Sequence, residues 1–312
     1  MMDTASFANR LRKNQRHWSK WARRRGISCF RIYDRDIPEF PLAIDWYEGR
    51  AHAQTFARKG IEALETEQEE HMAQVICEVL EINTGDLAFK TRQRQKGLSQ
   101  YEKTGRRGRP FTVHEAGLAF EVDLHRYLDT GLFLDHRNTR ALVRDKAAGK
   151  RVLNLFAYTG SFSVYAAAGN AHAVTSVDLS NTYLDWAERN LQLNGLESER
   201  HDFIRADVFS YLEQANRERK QFGLIVLDPP SFSNSKMMQA TLDVQRDHGR
   251  LISACLPLLK QGGELFFSTN RRKFKADPVL MNDAVWLEIT QQTVPEDFRR
   301  HPSHRCWHFQ KS

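Results

Sequence analysis

Cysteine is scarce in this sequence, and the few thiols do not cluster. Cys29, Cys77, Cys255 and Cys306 lie far apart, and none belongs to a CxxC pair or to a Cys/His spacing typical of zinc ligands. We therefore expect no metal site. Isolated thiols of this kind are typical of proteins from a reducing compartment.

Long apolar runs are also missing. No run approaches the roughly 20 residues that a bilayer-spanning helix needs, and the first residues lack the apolar core of a secretion signal. These absences argue against a membrane or secreted protein and predict a cytoplasmic one. Hydrophobic residues nevertheless make up 41% of the 312 positions, which is enough for the packed cores of two domains.

Positive charge exceeds negative charge, and the excess is clustered. The formal net charge is +7, and eight Lys and Arg residues fall within residues 1–25. Apolar side chains recur at helical spacing from Phe7 to Trp21, which predicts an amphipathic helix with a basic outer face. Eight further basic residues lie within residues 90–109, where three glycines favour an exposed loop. Two such clusters favour a polyanionic partner, RNA in particular, bound through its phosphates.

From Arg151 onward the sequence alternates between short apolar strands and helices. This pattern predicts an α/β fold, a doubly wound, largely parallel sheet with helices on both faces. Helical and extended segments before it predict a smaller α+β domain, so we place the domains at residues 1–126 and 127–312. Ligands of doubly wound sheets bind at the carboxyl ends of the strands.

The first two strand ends carry a glycine loop and an acid. Asn154 to Gly160 reads NLFAYTG, a polar loop that leads into a helix and holds a single glycine. The GxGxxG signature of dinucleotide binding is absent there, which disfavours a nicotinamide oxidoreductase; a plain structural turn remains an alternative. Asp178 ends the next strand, where an acid accepts hydrogen bonds from ribose hydroxyls or caps the following helix.

The next two strand ends each carry an aspartate. Asp207 is placed to accept from an adenine amino group, or to cap a helix. Asp228 opens the sequence DPPSF, in which Pro229 and Pro230 have no N–H and leave their carbonyls free as acceptors. With the ring of Phe232 beside them, these acceptors suit a planar nucleobase. The alternative for this segment is a proline-rich turn with a core phenylalanine.

Several stretches together resemble one family. NLFAYTGSFSVYAAAGNAHAVTSVDLS and LDPPSFSNSK, with DTGLFLDHR from Asp129 to Arg137, are similar to class I S-adenosylmethionine-dependent methyltransferases. Among these, the chain most resembles the bacterial 23S rRNA large-subunit methyltransferases of the K type, which methylate guanine N7. FANRLRKN, KTRQRQKG and DVQRDH extend the resemblance over nearly the whole chain. K-type enzymes also occur fused to a guanine-N2 methyltransferase, so this chain would be a free-standing version or a fragment.

The resemblance implies a Rossmann-like methyltransferase sheet, S-adenosylmethionine as cofactor, and 23S rRNA or a large-subunit assembly intermediate as partner. A separate guanine-N2 methyltransferase is a further candidate partner. The cofactor-binding residues would be Phe133, Asp135, Asn154, Phe156, Tyr158, Thr159, Gly160, Asp178, Leu179, Asp207, Val208 and Asp228. The residues at the reacting base would be Asp228, Pro229, Pro230 and Phe232. The RNA-binding residues would be Arg92, Arg94, Lys96, Lys236, Arg271 and Arg272.

The chemistry of the target atom narrows the reaction. Pyrimidine C5 is not nucleophilic, so enzymes that methylate it attack the ring with a cysteine thiolate. Relatives with that activity carry a cysteine just after the strand that follows DPP. Here that stretch reads FFSTNRRKF, with Ser268, Thr269 and Asn270 and no thiol, and Cys255 and Cys306 do not suit that role. Guanine N7 has a free lone pair and needs only alignment with the methyl donor. We therefore expect a guanine-N7 enzyme; the alternatives are a pyrimidine-C5 rRNA methyltransferase and a non-catalytic RNA-binding factor.

Overall fold

The computed structural model describes residues 4–56, 66–92, 108–127, 129–234, 241–277 and 286–312. The chain divides into two compact units. Unit 1 comprises Met1–Gly117, Val122–Leu134 and Glu296–His301, and unit 2 comprises Leu118–Glu121, Asp135–Pro295 and Pro302–Ser312. Among the helices described here, none is both long enough and apolar enough to cross a membrane.

Unit 1 is built on a four-stranded sheet, counted over the residues that the structure describes. The strands are antiparallel from β1 to β3, and β4 runs parallel to β3. The elements are α1 (Ala5–Arg25), β1 (Cys29–Asp34), β2 (Leu42–Tyr47), β3 (Arg50–Phe56), α2 (Thr66–Leu80), β4 (Leu87–Arg92), β5 (Phe111–Glu115) and β6 (Leu118–Val122), the last of which enters unit 2.

The amphipathic helix predicted at the N-terminus is confirmed as α1. Phe7 and Leu11 are fully buried in the core of unit 1, whereas all eight Lys and Arg side chains of the helix are exposed. Gly26 follows the last helical residue, and its left-handed φ of 64° lets its N–H donate to carbonyls of the last turn. The sequence thus separates an apolar face, which packs, from a basic face, which remains in solvent.

Unit 2 contains the doubly wound sheet, which confirms the predicted fold class. Within the described ranges the sheet has seven strands, in the order β14-β15-β13-β10-β7-β8-β9. The strands from β13 to β9 are parallel, and β15 and β14 are antiparallel additions. The elements are α3 (Arg137–Lys146), β7 (Arg151–Leu155), α4 (Ser161–Ala168), β8 (Ala173–Asp178), α5 (Asn181–Gln192), β9 (His201–Arg205), α6 (Val208–Arg217), β10 (Phe222–Leu227), β11 (Phe232–Ser233), β12 (Leu242–Asp243), α7 (Val244–Cys255), β13 (Leu259–Thr269), β14 (Trp286–Glu288), α8 (Thr290–Thr293) and β15 (Arg305–Gln310).

The register of the parallel strands aligns their carboxyl ends. Leu227 of β10 pairs with Leu155 of β7, and Leu155 pairs with Val177 of β8. The chain therefore leaves three neighbouring strands at the same level of the sheet. Strand order also reverses between β7 and β10, the switch point at which doubly wound sheets bind ligands.

One predicted helix is wrong in its bounds. The sequence pattern predicts a helix over 240–260, but α7 runs only from Val244 to Cys255. Asp243 caps its start by accepting from the N–H groups of Gln245 and Arg246. A 3₁₀ turn containing Pro257 follows, and β13 already begins at Leu259.

Candidate active site

The loop between β7 and α4 has an unusual backbone. Phe156, Tyr158 and Gly160 have left-handed φ values of 58°, 51° and 72°. Two of these are non-glycine residues, for which this conformation is strained and is commonly found at ligand sites. A Cβ on Gly160 would lie 2.5 Å from the Cβ of Ala187, so glycine is needed for packing as well as for conformation.

Asp178 holds this loop in place. One carboxylate oxygen accepts the N–H of Tyr158 at 2.9 Å and the other accepts the N–H of Ser180, also at 2.9 Å. Burial raises the pKa of Asp178 and outweighs the opposing effect of the backbone N–H donors. Ser180 caps α5 by accepting from the N–H of Tyr183, so the helix does not need Asp178 as its cap. Each carboxylate oxygen has two lone pairs, which leaves acceptor capacity for hydroxyl groups of a ligand.

Asp207 lies at the end of β9 and caps α6. Its carboxylate accepts the N–H of Ser210 at 3.0 Å. Val208, the first residue of the helix, is buried at 2% exposure. Near Asp207, the Arg205 side chain donates to the carbonyl of Leu179 at 3.2 Å and so joins the loops that follow β8 and β9.

Asp228 follows β10 directly. One carboxylate oxygen accepts the hydroxyl of Ser268 at 2.6 Å, and the other lies 3.7 Å from Nε2 of His136. The side chain is a quarter exposed, so it remains accessible to a ligand. Pro229 is buried and Pro230 half-buried, which makes the chain after Asp228 a stiff, packed turn.

Phe232 is the exposed ring of this region. It begins the short strand β11, pairs with Asp243 of β12, and leaves 46% of its surface exposed. The alternative of a core phenylalanine therefore does not hold. Beside it, the Ser231 hydroxyl donates to the side-chain carbonyl of Asn270 at 2.5 Å, which ties the turn to the loop after β13.

Asp135 lies in a cluster that no local sequence pattern indicates. Its carboxylate accepts the Ser303 hydroxyl at 2.8 Å and lies 3.3 Å from Nδ1 of His304. Burial alone would raise the pKa of Asp135, but the imidazoles of His136 and His304 and the Ser303 hydroxyl hold it well below its usual value. Asp135, His136 and His304 offer metal-ligand atoms within 4.8 Å of one another. Asp135 and His304 are 169 positions apart in the sequence, which leaves no spacing signal.

Two of the predicted cofactor residues, Asn154 and Thr159, make buried side-chain or backbone contacts with α4 and α5, and Phe133 lies outside unit 2. Asn154 and Thr159 are buried, at 1% and 0% exposure. The amide of Asn154 donates to the Ser163 hydroxyl, and the carbonyl of Thr159 accepts from the amide of Asn190. Both residues therefore support the loop from within. Phe133 belongs to unit 1 and is 39% exposed.

The predicted RNA-binding residues fall into three groups. Arg272 is exposed, and Arg271 forms an ion pair with Asp243 at 2.8 Å. Arg92 ends β4, and its side chain is outside the described part of the structure. The others, Arg94, Lys96 and Lys236, lie outside the described residues altogether.

No thiol of the chain is available as a nucleophile near Asp228. All four cysteines are buried. Cys306 pairs with Ser268 across β13 and β15, but its exposure is 0% and burial raises its pKa well above the usual value. Cys255 is equally buried in the core, with its pKa raised in the same way. A cysteine that keeps its proton at neutral pH does not attack a pyrimidine ring.

A family model described as S-adenosylmethionine-dependent methyltransferase matches residues 36–296. The chain belongs to this family. Its cofactor is therefore S-adenosylmethionine, and the acceptors left on Asp178 and the strained loop of Gly160 fit a nucleoside-containing ligand. One solved structure similar to this methyltransferase is that of SMU.776, a methyltransferase complexed with SAH (TM-score 0.80, 23% identity, covering 99% of this chain and 82% of that one). The likeness shows the shared fold.

Curated relatives are closer in sequence. Ribosomal RNA large subunit methyltransferase K of Neisseria meningitidis serogroup B is 54% identical over 311 residues, which cover 98% of this chain and 87% of that protein. Ribosomal RNA large subunit methyltransferase K/L of Methylococcus capsulatus is 48% identical over 307 residues. That match covers 96% of this chain but only 42% of the K/L protein.

Proposed function

We propose that this methyltransferase transfers a methyl group from S-adenosylmethionine to N7 of a guanine in 23S rRNA. The observation that carries the proposal is the hydroxyl of Ser268, rather than a thiol, on the carboxylate of Asp228. A site without a thiolate suits an acceptor atom that already has a free lone pair. The rRNA substrate is supported by the names of the Neisseria and Methylococcus relatives.

The cofactor would lie across the carboxyl ends of β8 and β7. Asp178 would accept the ribose hydroxyls with its remaining lone pairs, and the N-terminal end of α6 with Asp207, Val208 and the nearby Leu179 would hold the adenine. The strained loop of Phe156, Tyr158 and Gly160 would face the methionine part. Asp135 would contribute from the segment before α3, while the buried Asn154 and Thr159 keep the loop in shape.

The target base would lie beside Asp228. Bound S-adenosylmethionine supplies an electrophilic methyl group on a sulfonium. The N7 lone pair is available at neutral pH, so the chain's residues need to orient the base and exclude water rather than remove a proton. The exposed ring of Phe232 would stack on the guanine, and the carbonyls of Pro229 and Pro230 would accept from its edge. An aromatic face also stabilises the cationic N7-methylguanine by about 1–2 kcal/mol when it is desolvated.

RNA would be bound through phosphates by the basic residues. The exposed Lys and Arg side chains of α1 form one such surface in unit 1. Arg271 and Arg272 in unit 2, with Arg92, Arg94, Lys96 and Lys236, would add contacts. Such contacts position RNA without reading its sequence. The proposed partner is 23S rRNA or a large-subunit assembly intermediate in the cytoplasm, together with a separate guanine-N2 methyltransferase.

The test is chemical cleavage of methylated RNA. 23S rRNA transcribed in vitro is incubated with the protein and S-adenosylmethionine, then reduced with borohydride and treated with aniline. We expect strand scission at one guanine, because N7-methylguanosine is labile to this treatment and C5-methylated pyrimidines are not. Cys306→Ala is the control: it should leave the scission unchanged. Methylation without scission that disappears in folded Cys306→Ala would establish pyrimidine chemistry instead.

A further inference from the structure

A buried histidine lies beside Asp228, on the side away from Ser268. His136 is 5% exposed, and its Nε2 is 3.7 Å from the second carboxylate oxygen of Asp228. The other ring nitrogen, Nδ1, lies 3.4 Å from the hydroxyl of Thr139. The ring also stacks on that of His304, with ring centroids 4.1 Å apart and planes 18° from parallel. The imidazole is thus fixed in position with one edge directed at Asp228.

We propose that His136 is a positioning residue that holds the Asp228 carboxylate in the orientation needed for methyl transfer. The inference rests on the proposed function and deepens it. Asp228 would be held on both sides, by the Ser268 hydroxyl on one oxygen and by the N–H of His136 on the other. The 3.7 Å separation is about half an ångström beyond a good hydrogen bond, so a small rotation of the Asp228 side chain makes the contact.

The neighbours of His136 determine which nitrogen carries the proton. An ionised carboxylate only accepts hydrogen bonds, so Nε2 must carry the hydrogen that faces Asp228. Nδ1 then accepts from the hydroxyl of Thr139, which is able to donate. Neutral imidazole with its proton on Nε2 satisfies both contacts.

The surroundings of the His136 ring favour its neutral form. Burial lowers the pKa of His136, and the adjacent His304 and Arg140 lower it further, which outweighs the opposing effect of Asp228 and Asp135. A neutral donor leaves the negative charge of Asp228 uncancelled. That charge stays available to the cation that forms on the guanine.

Two substitutions of His136 distinguish the role of its N–H donor from the role of its aromatic ring. His136→Gln keeps an N–H donor at about the reach of Nε2 but removes the ring that stacks on His304. His136→Phe keeps a ring for the stack and removes the donor. We expect kcat for transfer to fall roughly 10- to 100-fold in His136→Phe, a cost typical of a mispositioned group. His136→Gln should retain kcat within about threefold. In His136→Phe the loss of kcat should exceed any rise in the Kd for S-adenosylmethionine, since His136 orients the carboxylate of Asp228.

The opposite ranking of kcat in the two variants would overturn the proposal. If His136→Phe kept full kcat while His136→Gln lost both kcat and thermal stability, the ring would serve packing alone. A stoichiometric metal in purified protein, with activity lost on chelation, would make Asp135, His136 and His304 a metal site and would also overturn it.

A spectroscopic measurement tests the contact independently of transfer. The ¹⁵N shifts of the His136 imidazole should report the neutral tautomer protonated on Nε2 at pH 7. Asp228→Asn should move the Nε2 signal, and Asp185→Asn, at an exposed site on α5, should not. An unchanged signal in Asp228→Asn would refute the contact. Inactive wild-type protein would instead refute the proposed function and leave this measurement decisive for His136.

Discussion

Replacing Asp178 with asparagine removes the charge from the carboxylate that we place on the ribose. The side chain keeps its size and one acceptor oxygen. Its new amide N–H₂ must point at the N–H of either Tyr158 or Ser180, because both carboxylate oxygens accept backbone N–H groups at 2.9 Å. The substitution therefore weakens both the ribose contact and the support of the strained loop.

The expected loss of affinity follows from these contacts. A hydrogen bond to a charged acceptor contributes about 1.5–3 kcal/mol. Two ribose hydroxyls would therefore contribute about 3–6 kcal/mol with aspartate, and asparagine retains part of this. We expect a loss of about 2–4 kcal/mol, which weakens binding roughly 30- to 700-fold.

Isothermal titration calorimetry of each variant with S-adenosylmethionine measures this loss. Asp185→Asn is the matched control, because Asp185 lies exposed on α5, the helix that follows Asp178. Thermal unfolding of the unliganded variants separates a binding effect from loss of the fold. If folded Asp178→Asn bound the cofactor within threefold of wild type, the ribose assignment would be refuted.

Three other substitutions test separate parts of the account. Gly160→Ala should weaken cofactor binding and lower the melting temperature, since the new methyl group meets Ala187 at 2.5 Å; unchanged calorimetry and melting would contradict this. Phe232→Ala should slow transfer at least tenfold while cofactor Kd changes less than threefold, and an equal loss in both assays would argue against base stacking. For Glu264, burial alone would raise the pKa, but hydrogen bonds from Lys146, Lys150 and His308 lower it from 4.5 to about 2. The stabilising contribution of Glu264 is present above pH 4.5 and is lost as the pH falls toward 2. Glu264→Gln should therefore have a lower melting temperature than wild type at pH 7, and the difference should narrow below pH 4.5. A difference in melting temperature that does not depend on pH would contradict the role of these hydrogen bonds.

The strand ends were predictable because the hydrophobic periodicity and the polarity of the sequence both change at these positions. Apolar runs that stop at an aspartate mark the carboxyl ends of parallel strands, and Asp178 and Asp228 lie where the pattern indicates. The sequence left Asp178 as either a ligand-binding acid or a helix cap, and the structure shows that Ser180 caps α5 instead. Sequence alone could not assign a role to Asp207, because capping of α6 and binding of adenine both require an acid at that position.

Contacts between distant segments were not predictable. The cluster of Asp135 with Ser303 and His304 depends on how the C-terminal segment returns to the sheet, and no local pattern encodes that return. The last strand, β15, was missed, and its burial pattern does not alternate, because the adjacent residues Cys306 and Trp307 are both buried. The exposure of Phe232 depends on its pairing with β12, so the sequence favoured a base-stacking ring without excluding a core one.

The most direct test of the account is a crystal structure of this chain with S-adenosylhomocysteine. We predict that both ribose hydroxyls lie roughly 2.6–3.2 Å from the carboxylate of Asp178. The sulfur should face the side of the site that Asp228 and Phe232 share. A ligand whose ribose lies beyond hydrogen-bond reach of Asp178, or whose sulfur faces away from Asp228, would contradict the central claim.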